Sequence, residues 1–189
     1  YHDKMNINFK MIWEALMIYY SDEKIVIRDL QESDAQIITD EEIAQGWHQT
    51  IDKYLGRLKN QAEGISINLV AEYEGNVAGY NNVYPGRKAG PFQHGLWPEI
   101  VDFGVFFHLH NKGIGNKLLD VAEQEAAKLS DTVFLAVGVH SGYGAAQRIY
   151  VKRGYLPDGS GVWYQGKQLE QYAPCVNDDD LLLFMSKTL

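Results

Sequence analysis

Two glycines between an apolar run and a helix, Gly113 and Gly115, carry the clearest chemical signal in the chain. They stand in Val105-Phe106-Phe107-His108-Leu109-His110-Asn111-Lys112-Gly113-Ile114-Gly115-Asn116, where a strand-like stretch ending at Phe107 enters a short polar loop. A helix follows at once, because Leu118, Val121, Ala122, Ala126 and Leu129 recur at helical spacing. Strand, glycine loop and helix N-terminus together form an anion site that needs no metal. Glycine lets the backbone come close to the ligand, and the unpaired N–H groups of the first helical turn point at it. The expected ligand is a phosphate or pyrophosphate, with His110, Asn111, Lys112, Gly113, Ile114, Gly115 and Asn116 around it. A Gly-x-Gly pattern alone fits a plain tight turn equally well.

Two carboxylates lie just upstream, in Glu99-Ile100-Val101-Asp102-Phe103-Gly104-Val105. Side chains alternate along a strand, so Glu99, Val101, Phe103 and Val105 are expected on one face and Asp102 on the other. A charge inside an apolar strand is costly unless paired, so Asp102 has either a structural partner or a chemical task. Glu99 is a candidate base or a solvated strand end.

A second segment sharpens the reading. Val133 to Val139 is short, apolar and β-branched, and reads as a buried strand. The stretch from Gly144 to Gly154 then reads as a short helix with Ala146, Ile149, Tyr150 and Arg153 on one side, closed by Gly154. Together the two segments give His110-x-x-Gly113-x-Gly115 and Tyr143-x-x-Ala146-x-x-x-Tyr150-x-x-x-Gly154-Tyr155. In this order and spacing the chain resembles the GNAT superfamily of N-acetyltransferases. Their phosphate loop reads Arg/Gln-x-x-Gly-x-Gly/Ala, and their later helix reads Asn-x-x-Ala-x-x-x-Tyr-x-x-x-Gly-Phe/Tyr. His110 replaces the usual Arg or Gln, which leaves the backbone grip on the phosphates intact. Tyr143 replaces an Asn whose amide commonly bonds the pantetheine arm.

The resemblance implies an α/β (α+β) fold with a mixed, mostly antiparallel, splayed sheet of about seven strands and helices on both faces. It also implies acetyl-CoA as cosubstrate, lying between the strands that flank the phosphate-loop helix. The acetyl group would pass directly to a primary amine of a small-molecule or protein acceptor. Polarising the thioester carbonyl calls for fixed N–H donors, which this family takes from the strand before the loop, here Val105, Phe106 and Phe107. Tyr143 and Ala146 would line the cofactor on the other side. Tyr150 matches the family's acid tyrosine and would protonate the departing thiolate. Glu99 matches the base of relatives that acetylate lysine, with Asp102 or a water chain as alternatives. Two readings from other classes stand beside this one: a non-catalytic acyl-CoA sensor or interaction module, and a generic nucleotide site in another α/β fold.

Composition narrows the classes. The chain has 189 residues, enough for one domain with a sizeable core. Its net charge of −8 argues against nucleic acid, whose phosphates need clustered Lys and Arg. No apolar run approaches the roughly 20 residues of a membrane span. A single cysteine, Cys175, rules out an intrachain disulfide framework and fits a reducing, cytoplasmic compartment. It reads as a small packed side chain near a turn. His108-x-His110 suggests a metal pair, but no third ligand has suitable spacing, so no metal is expected.

The acetyltransferase-like domain is expected over 24–189, after an extension over 1–23. The apolar stretch Met11 to Tyr20 is read as an extra helix on the domain or on a second subunit of a homodimer, or as an appended segment. The domain order is a strand at Lys24–Leu30, a helix through Ile38 capped by Ser33 or Asp34, and a helix over Thr50–Asn60 with Ile51, Leu55 and Leu58 on one stripe. Strands follow at Ser66–Tyr73 and Val77–Tyr84 about a Glu74-Gly75-Asn76 turn, and a long loop spans Pro85 to Pro98. After the motifs come strands around Val162–Leu169 and Leu181–Ser186. Gly159-Ser160-Gly161 reads as a β-turn beside the acceptor cleft. Tyr84, Trp97, Trp163 and Tyr164 are candidates for the cleft wall or for the core.

Overall fold

Alternating and β-branched stretches of this chain become strands, and its longer periodic stretches become helices. The computed structural model describes residues 16–189. Its elements run β1 (Ile18–Ser21), β2 (Ile25–Asp29), α1 (Glu32–Ala44), α2 (Ile51–Ala62), β3 (Ile67–Tyr73), β4 (Asn76–Tyr84) and β5 (Glu99–Val105). Then follow α3 (Ile114–Ala127), β6 (Thr132–Gly138), α4 (Gly144–Lys152), β7 (Leu156–Tyr164), β8 (Lys167–Gln168) and β9 (Leu181–Thr188). One sheet orders them β1-β2-β3-β4-β5-β6-β9-β7-β8. Every pairing is antiparallel except β5 with β6. The mixed, mostly antiparallel sheet is as expected. Its nine strands exceed the expected count through the edge strands β1 and β8.

The parallel pair positions the site. β5 and β6 are paired only at Glu99 with Phe134 and Ile100 with Leu135. Beyond those residues the two strands are unpaired, so the sheet splays between Val101–Val105 and Ala136–Gly138. Leu118, Leu119, Ala122 and Ala126 of α3 cover one sheet face, against Ile27, Leu69, Val83, Ile100 and Leu135. Each fully buried leucine here contributes about 1.5–3 kcal/mol relative to exposure. On the opposite face, Ile38 of α1 and Tyr54 of α2 pack on Val70, Tyr80 and Phe106. A third cluster, Phe92, Phe134 and Phe184 with Trp97 and Trp163, lies under the loop that follows β4. The β3–β4 turn is the expected tight hairpin, with Glu74 at φ 50° and Gly75 at φ 82°.

Several local expectations are corrected. Ile18 to Tyr20 are strand, not helix: their β-branched and aromatic side chains suit an edge strand, and the Tyr19 hydroxyl donates to Asp29 (2.7 Å). The sheet therefore begins before residue 24; Leu16 and Met17 are not helical, and residues 11–15 of the expected helix lie outside the described residues. The N-cap of α1 is Gln31, with Asp34 accepting its N–H (2.8 Å) and pairing Arg28. On α2 the buried positions are Tyr54 and Arg57, while Leu55 is exposed, because the face toward the sheet meets polar groups as well as apolar ones. Leu129 falls beyond α3 and is exposed. Gly159-Ser160-Gly161 is a bulge inside β7, between the pairs Pro157–Met185 and Val162–Leu183, and not a turn. Asp158 accepts from Ser160 Oγ (2.9 Å), which in turn accepts from Trp163 Nε1 (2.7 Å). Cys175 is exposed rather than packed.

Candidate active site

Gly113 is the N-cap of α3 and has φ 84°, a conformation that a side chain would strain. Asn111, also left-handed at φ 64°, helps fold the loop back over the strand end. The Lys117 N–H closes the first helical turn on the Gly113 carbonyl (3.2 Å). The N–H groups of Ile114, Gly115 and Asn116 therefore have no helical acceptor, and they converge on one point at the positive end of the helix dipole. A Cβ on Gly115 would stand 3.0 Å from Cζ of Phe103, so this glycine lets the helix sit directly on the strand. His110 supports the loop from below: its Nε2 is 2.8 Å from the Val105 carbonyl oxygen. Lys112 places its ammonium over the Tyr73 ring, 5.1 Å from the centroid.

Three strand-end N–H groups are candidate carbonyl donors. The Phe106 N–H donates to the Ala78 carbonyl (3.0 Å), and the Phe107 N–H donates to the Gln45 side chain (2.6 Å). Donors alternate sides along an antiparallel strand, so the Val105 N–H points to the free edge, toward the splay. Of the three, Val105 alone offers an unengaged donor there.

Across the splay, α4 carries Tyr150. Its C-terminus is a Schellman motif: Gly154 has φ 89°, the Tyr155 N–H donates to the Tyr150 carbonyl (3.0 Å) and the Gly154 N–H to Val151 (3.1 Å). Arg153 anchors this end through Glu123 (2.9 Å) and Asp120 (2.8 Å) of α3. Tyr150 is buried, with its ring 6.1 Å from that of Phe103 and 5.7 Å from that of Tyr155. Its hydroxyl has no hydrogen-bond partner among the described residues. Burial, with Tyr143 nearby, pushes its pKa well above the usual tyrosine value, so the group is a protonated donor at neutral pH. Ala146 is half-buried one turn earlier and packs on the same core. Tyr143 crosses the end of β6: a Cβ on Gly138 would meet its ring at 2.3 Å, and its hydroxyl donates to Asp179 (2.9 Å). His140 reaches the same Asp179 oxygen at 3.0 Å.

The carboxylates depart from the expected alternation. Tyr80 pairs with Gly104 and Asn82 with Val101, so Asp102 and Phe103 together oppose Asn81 alone. This is a β-bulge, with Asp102 at φ 52°. The extra residue resets the faces. Phe103 and Val105 lie with Ile100 on the α3 face. Asp102 turns to α2, where it pairs with Arg57 and stands 4.0 Å from Lys53. Glu99 sits opposite Tyr84, whose hydroxyl accepts from Asn60 of α2 (3.4 Å), so it too is on the α2 face. Glu99 and Asp102 therefore share a face, and Glu99 does not share one with Phe103 and Val105.

Glu99 is 5% exposed, not a solvated strand end. Burial raises its pKa to about 7, an effect that Arg87 partly offsets. Arg87 Nε stands 3.1 Å from Glu99 Oε2 in a contact not aligned as a hydrogen bond, and that oxygen has no hydrogen-bond partner. Asp102 is more exposed and is paired from two sides. Beneath it, Tyr54 and Tyr80 both donate to the buried Glu42, and Arg57 lies over both rings, 5.4 and 5.9 Å from their centroids. Burial, with Arg57 nearby, lowers the Lys53 pKa to about 8.

Sequence reasoning did not find Glu42, Tyr54, Arg57 or Tyr80. An available signal was Arg57 one turn after Tyr54, a cation on the apolar face of an otherwise amphipathic helix. Of the aromatic wall candidates, Trp97 and Trp163 join the third cluster, Tyr84 stacks under Arg87 (5.1 Å) and Tyr164 bonds Asp178 (3.3 Å). His108 faces Glu41 at 3.8 Å, and no metal-binding group of His, Cys, Asp or Glu occurs among the described residues.

A splayed mixed sheet, a left-handed glycine opening the helix beside the splay and a tyrosine across it meet at this point of the fold. The chain belongs to the acetyltransferase (GNAT) family, which it matches over residues 24–155. No curated protein matches the chain in sequence. Among solved structures it is similar to an acetyltransferase from Salmonella typhimurium that modifies the N-terminal serine of ribosomal protein L7/L12. That likeness has a TM-score of 0.68 at 12% identity and covers 92% of this chain and 99% of the other. It is similar to yncA from Salmonella typhimurium, a putative acetyltransferase solved with acetyl-CoA, with a TM-score of 0.61 at 20% identity over 87% and 94% of the two chains. A ribosomal-protein-alanine N-acetyltransferase from Brucella melitensis gives 0.62 at 22% identity over 86% and 99%. At these identities the structures establish a shared fold.

Proposed function

We propose that the protein transfers an acetyl group from acetyl-CoA to a primary amine by direct attack. The residues present suit that cosubstrate: the left-handed Gly113, the unpaired N–H groups of Ile114 to Asn116, and the open edge of β5. Acetyl-CoA supplies an acyl group activated as a thioester. The α3 N-terminus holds the pyrophosphate, and the Val105 N–H stabilises negative charge as it develops on the carbonyl oxygen. Glu99 takes a proton from the amine; a value about 7 leaves it a useful base at neutral pH. Tyr150 donates a hydrogen bond to the departing thiolate; with its pKa raised above the usual tyrosine value it is a weaker acid than the thiol it faces.

The observation that carries this reading is the split of roles across β5. A buried carboxylate, with Arg87 beside it and no hydrogen bond to its Oε2, lies on one face, and the ring of Tyr150 lies against Phe103 on the other. The acceptor is a small-molecule amine or a protein amine; the structurally similar ribosomal-protein enzymes make a protein N-terminus one chemistry to include. Thiol release from acetyl-CoA across a panel of polyamines, aminoglycosides and peptides with free N-termini or lysines tests the proposal. Turnover with any of them supports it. Tight CoA binding with no turnover on any acceptor would make the protein a sensor instead.

A further inference from the structure

Arg87 stands beside Glu99, the carboxylate proposed to take the amine's proton, with its Nε 3.1 Å from Glu99 Oε2. The Arg87 side chain is 45% exposed and that of Glu99 is 7% exposed, so the guanidinium is the solvent-side member of the pair. It donates no hydrogen bond to any group among the described residues. An arginine that serves only as a structural partner engages its fork, binding a carboxylate through two parallel N–H bonds. Here the fork is open. The arginine is nevertheless held in place. Its guanidinium lies over the Tyr84 ring, 5.1 Å from the centroid, a stacking that the planar group favours. The loop that carries it is folded on itself: a Cβ on Gly86 would stand 2.7 Å from the Gly95 carbonyl oxygen, and Phe92 packs into the third cluster. A second guanidinium on this face is also incompletely used, because Nη1 of Arg57 is buried with no hydrogen-bond partner. The neighbouring carboxylates are matched, Asp102 by Arg57 and Glu42 by the hydroxyls of Tyr54 and Tyr80.

The face therefore offers unpaired cationic donors for an anion, directly beside the group that would deprotonate an amine. We propose that the acceptor is a free α-amino acid, its amine set against Glu99 and its carboxylate received by the guanidinium fork of Arg87. An α-amino acid carries both groups on one carbon, which matches the direct contact of Arg87 with Glu99. A peptide N-terminus has a neutral amide where the carboxylate would be. A polyamine brings a second cation toward Arg87 and Arg57. The proposal rests on the acetyl-transfer reading above and narrows its acceptor. In the step, the neutral amine nitrogen bonds to the acetyl carbon as the C–S bond breaks. The proton given up by the amine goes to Glu99, and the electron pair of the C–S bond leaves with the CoA sulfur.

The test pairs each free L-amino acid with its carboxamide and measures thiol release from acetyl-CoA, with peptides and polyamines run alongside. At least one amino acid is expected to exceed its amide by about tenfold or more in kcat/KM, the scale of a hydrogen bond between charged groups. R87Q is expected to raise the KM for that amino acid more than it lowers kcat, and to bring the acid-to-amide ratio near one. R87K keeps the charge without the fork, and its ratio should fall between the two. In wild type, amides as good as their acids overturn the proposal whether or not the variants fold. An unchanged ratio in R87Q overturns it too, because Arg87 then acts only through Glu99. Turnover of peptides or polyamines but of no free amino acid also overturns it, and leaves the acetyl-transfer reading standing. If no acceptor turns over, that reading fails instead. Calorimetric titration of the same pairs into the CoA-saturated protein then decides the carboxylate contact: tighter binding of acid than amide, lost in R87Q, supports it, and equal or absent binding overturns it.

Discussion

The two faces of β5 are built by opposite means. On the α3 face, the proposed cofactor side is made of backbone: a left-handed glycine, a helix start and one strand-edge N–H, with Phe103 and Tyr150 as apolar lining. Few charges are involved, and the residues come from two nearly contiguous stretches. On the α2 face, the proposed acceptor side is made of side chains brought from α1, α2, β4 and the long loop, and it is dense in buried charge: Glu42, Arg57 and Glu99 are each at most 6% exposed. In the proposed reaction, backbone donors serve a ligand whose phosphates and thioester never vary. Side-chain charges can be retuned with the acceptor. The difference assigns affinity for the cofactor to one face and pH dependence to the other, and each assignment can be broken separately.

The largest effect is expected on the backbone side. Gly113→Val places a β-branched residue at φ 84°, where no side chain is comfortable, although the space around it is open. CoA binding should fall below detection in a calorimetric titration, while circular dichroism shows a folded protein. Unchanged affinity would mean that the α3 N-terminus does not hold the pyrophosphate.

Next in size is Tyr150→Phe. If the hydroxyl serves the thiolate, kcat should drop by roughly ten- to a thousandfold with the KM for acetyl-CoA little changed. The ring stays in place between Phe103 and Tyr155, so stability should be nearly unaffected. An equally active variant returns Tyr150 to the role of core aromatic and leaves the cofactor face purely a binding surface.

The same contrast explains what could be read from sequence. The α3 face was legible in its geometry because its parts are local: Gly113 and Gly115 stand beside the helix they start, and Tyr150 and Gly154 lie on one short helix and its end. Local geometry follows from local residues, as the Schellman end at Gly154 illustrates. The α2 face was not, for two physical reasons. Period-two alternation assumes a regular strand, and one left-handed residue at Asp102 inverts every assignment beyond it. The Asp102-x-Gly104 spacing inside an apolar strand was the available hint. Second, Glu42 and Arg57 become partners only through the packing of α1 and α2 on β4, which no sequence spacing encodes.

On the side-chain face, Glu99→Gln should remove the acidic limb of the kcat/KM profile that wild type shows as Glu99 titrates near its raised value of about 7. The loss should be about tenfold at pH 8.5, where Glu99 of wild type is ionised, and smaller at pH 6, where most of it is already protonated. A wild-type limb in this variant would transfer proton removal to water or to another group.

The smallest effect is on stability, and it tests the acceptor face without any acceptor. Glu99 ionises at about 7 in the folded protein, against an ordinary glutamate value of about 4.3. Between those values the folded state holds a proton that the unfolded state has released. Stability therefore falls as pH rises through this window and levels off above it. Below the window Glu99 is neutral in both states and costs little. A glutamine side chain at this position is neutral throughout, so Glu99→Gln should stabilise the protein at pH 8 by an amount on the order of 2 kcal/mol. For a chain of this size that is a Tm rise of about 4–8 °C, with a much smaller difference at pH 4.5. Comparing the variant with wild type at both pH values cancels every other titrating group. If the Tm difference is the same at both, Glu99 is not carried into the folded state at a raised pKa. The acceptor face would then have lost the property that distinguishes it as the site of proton removal.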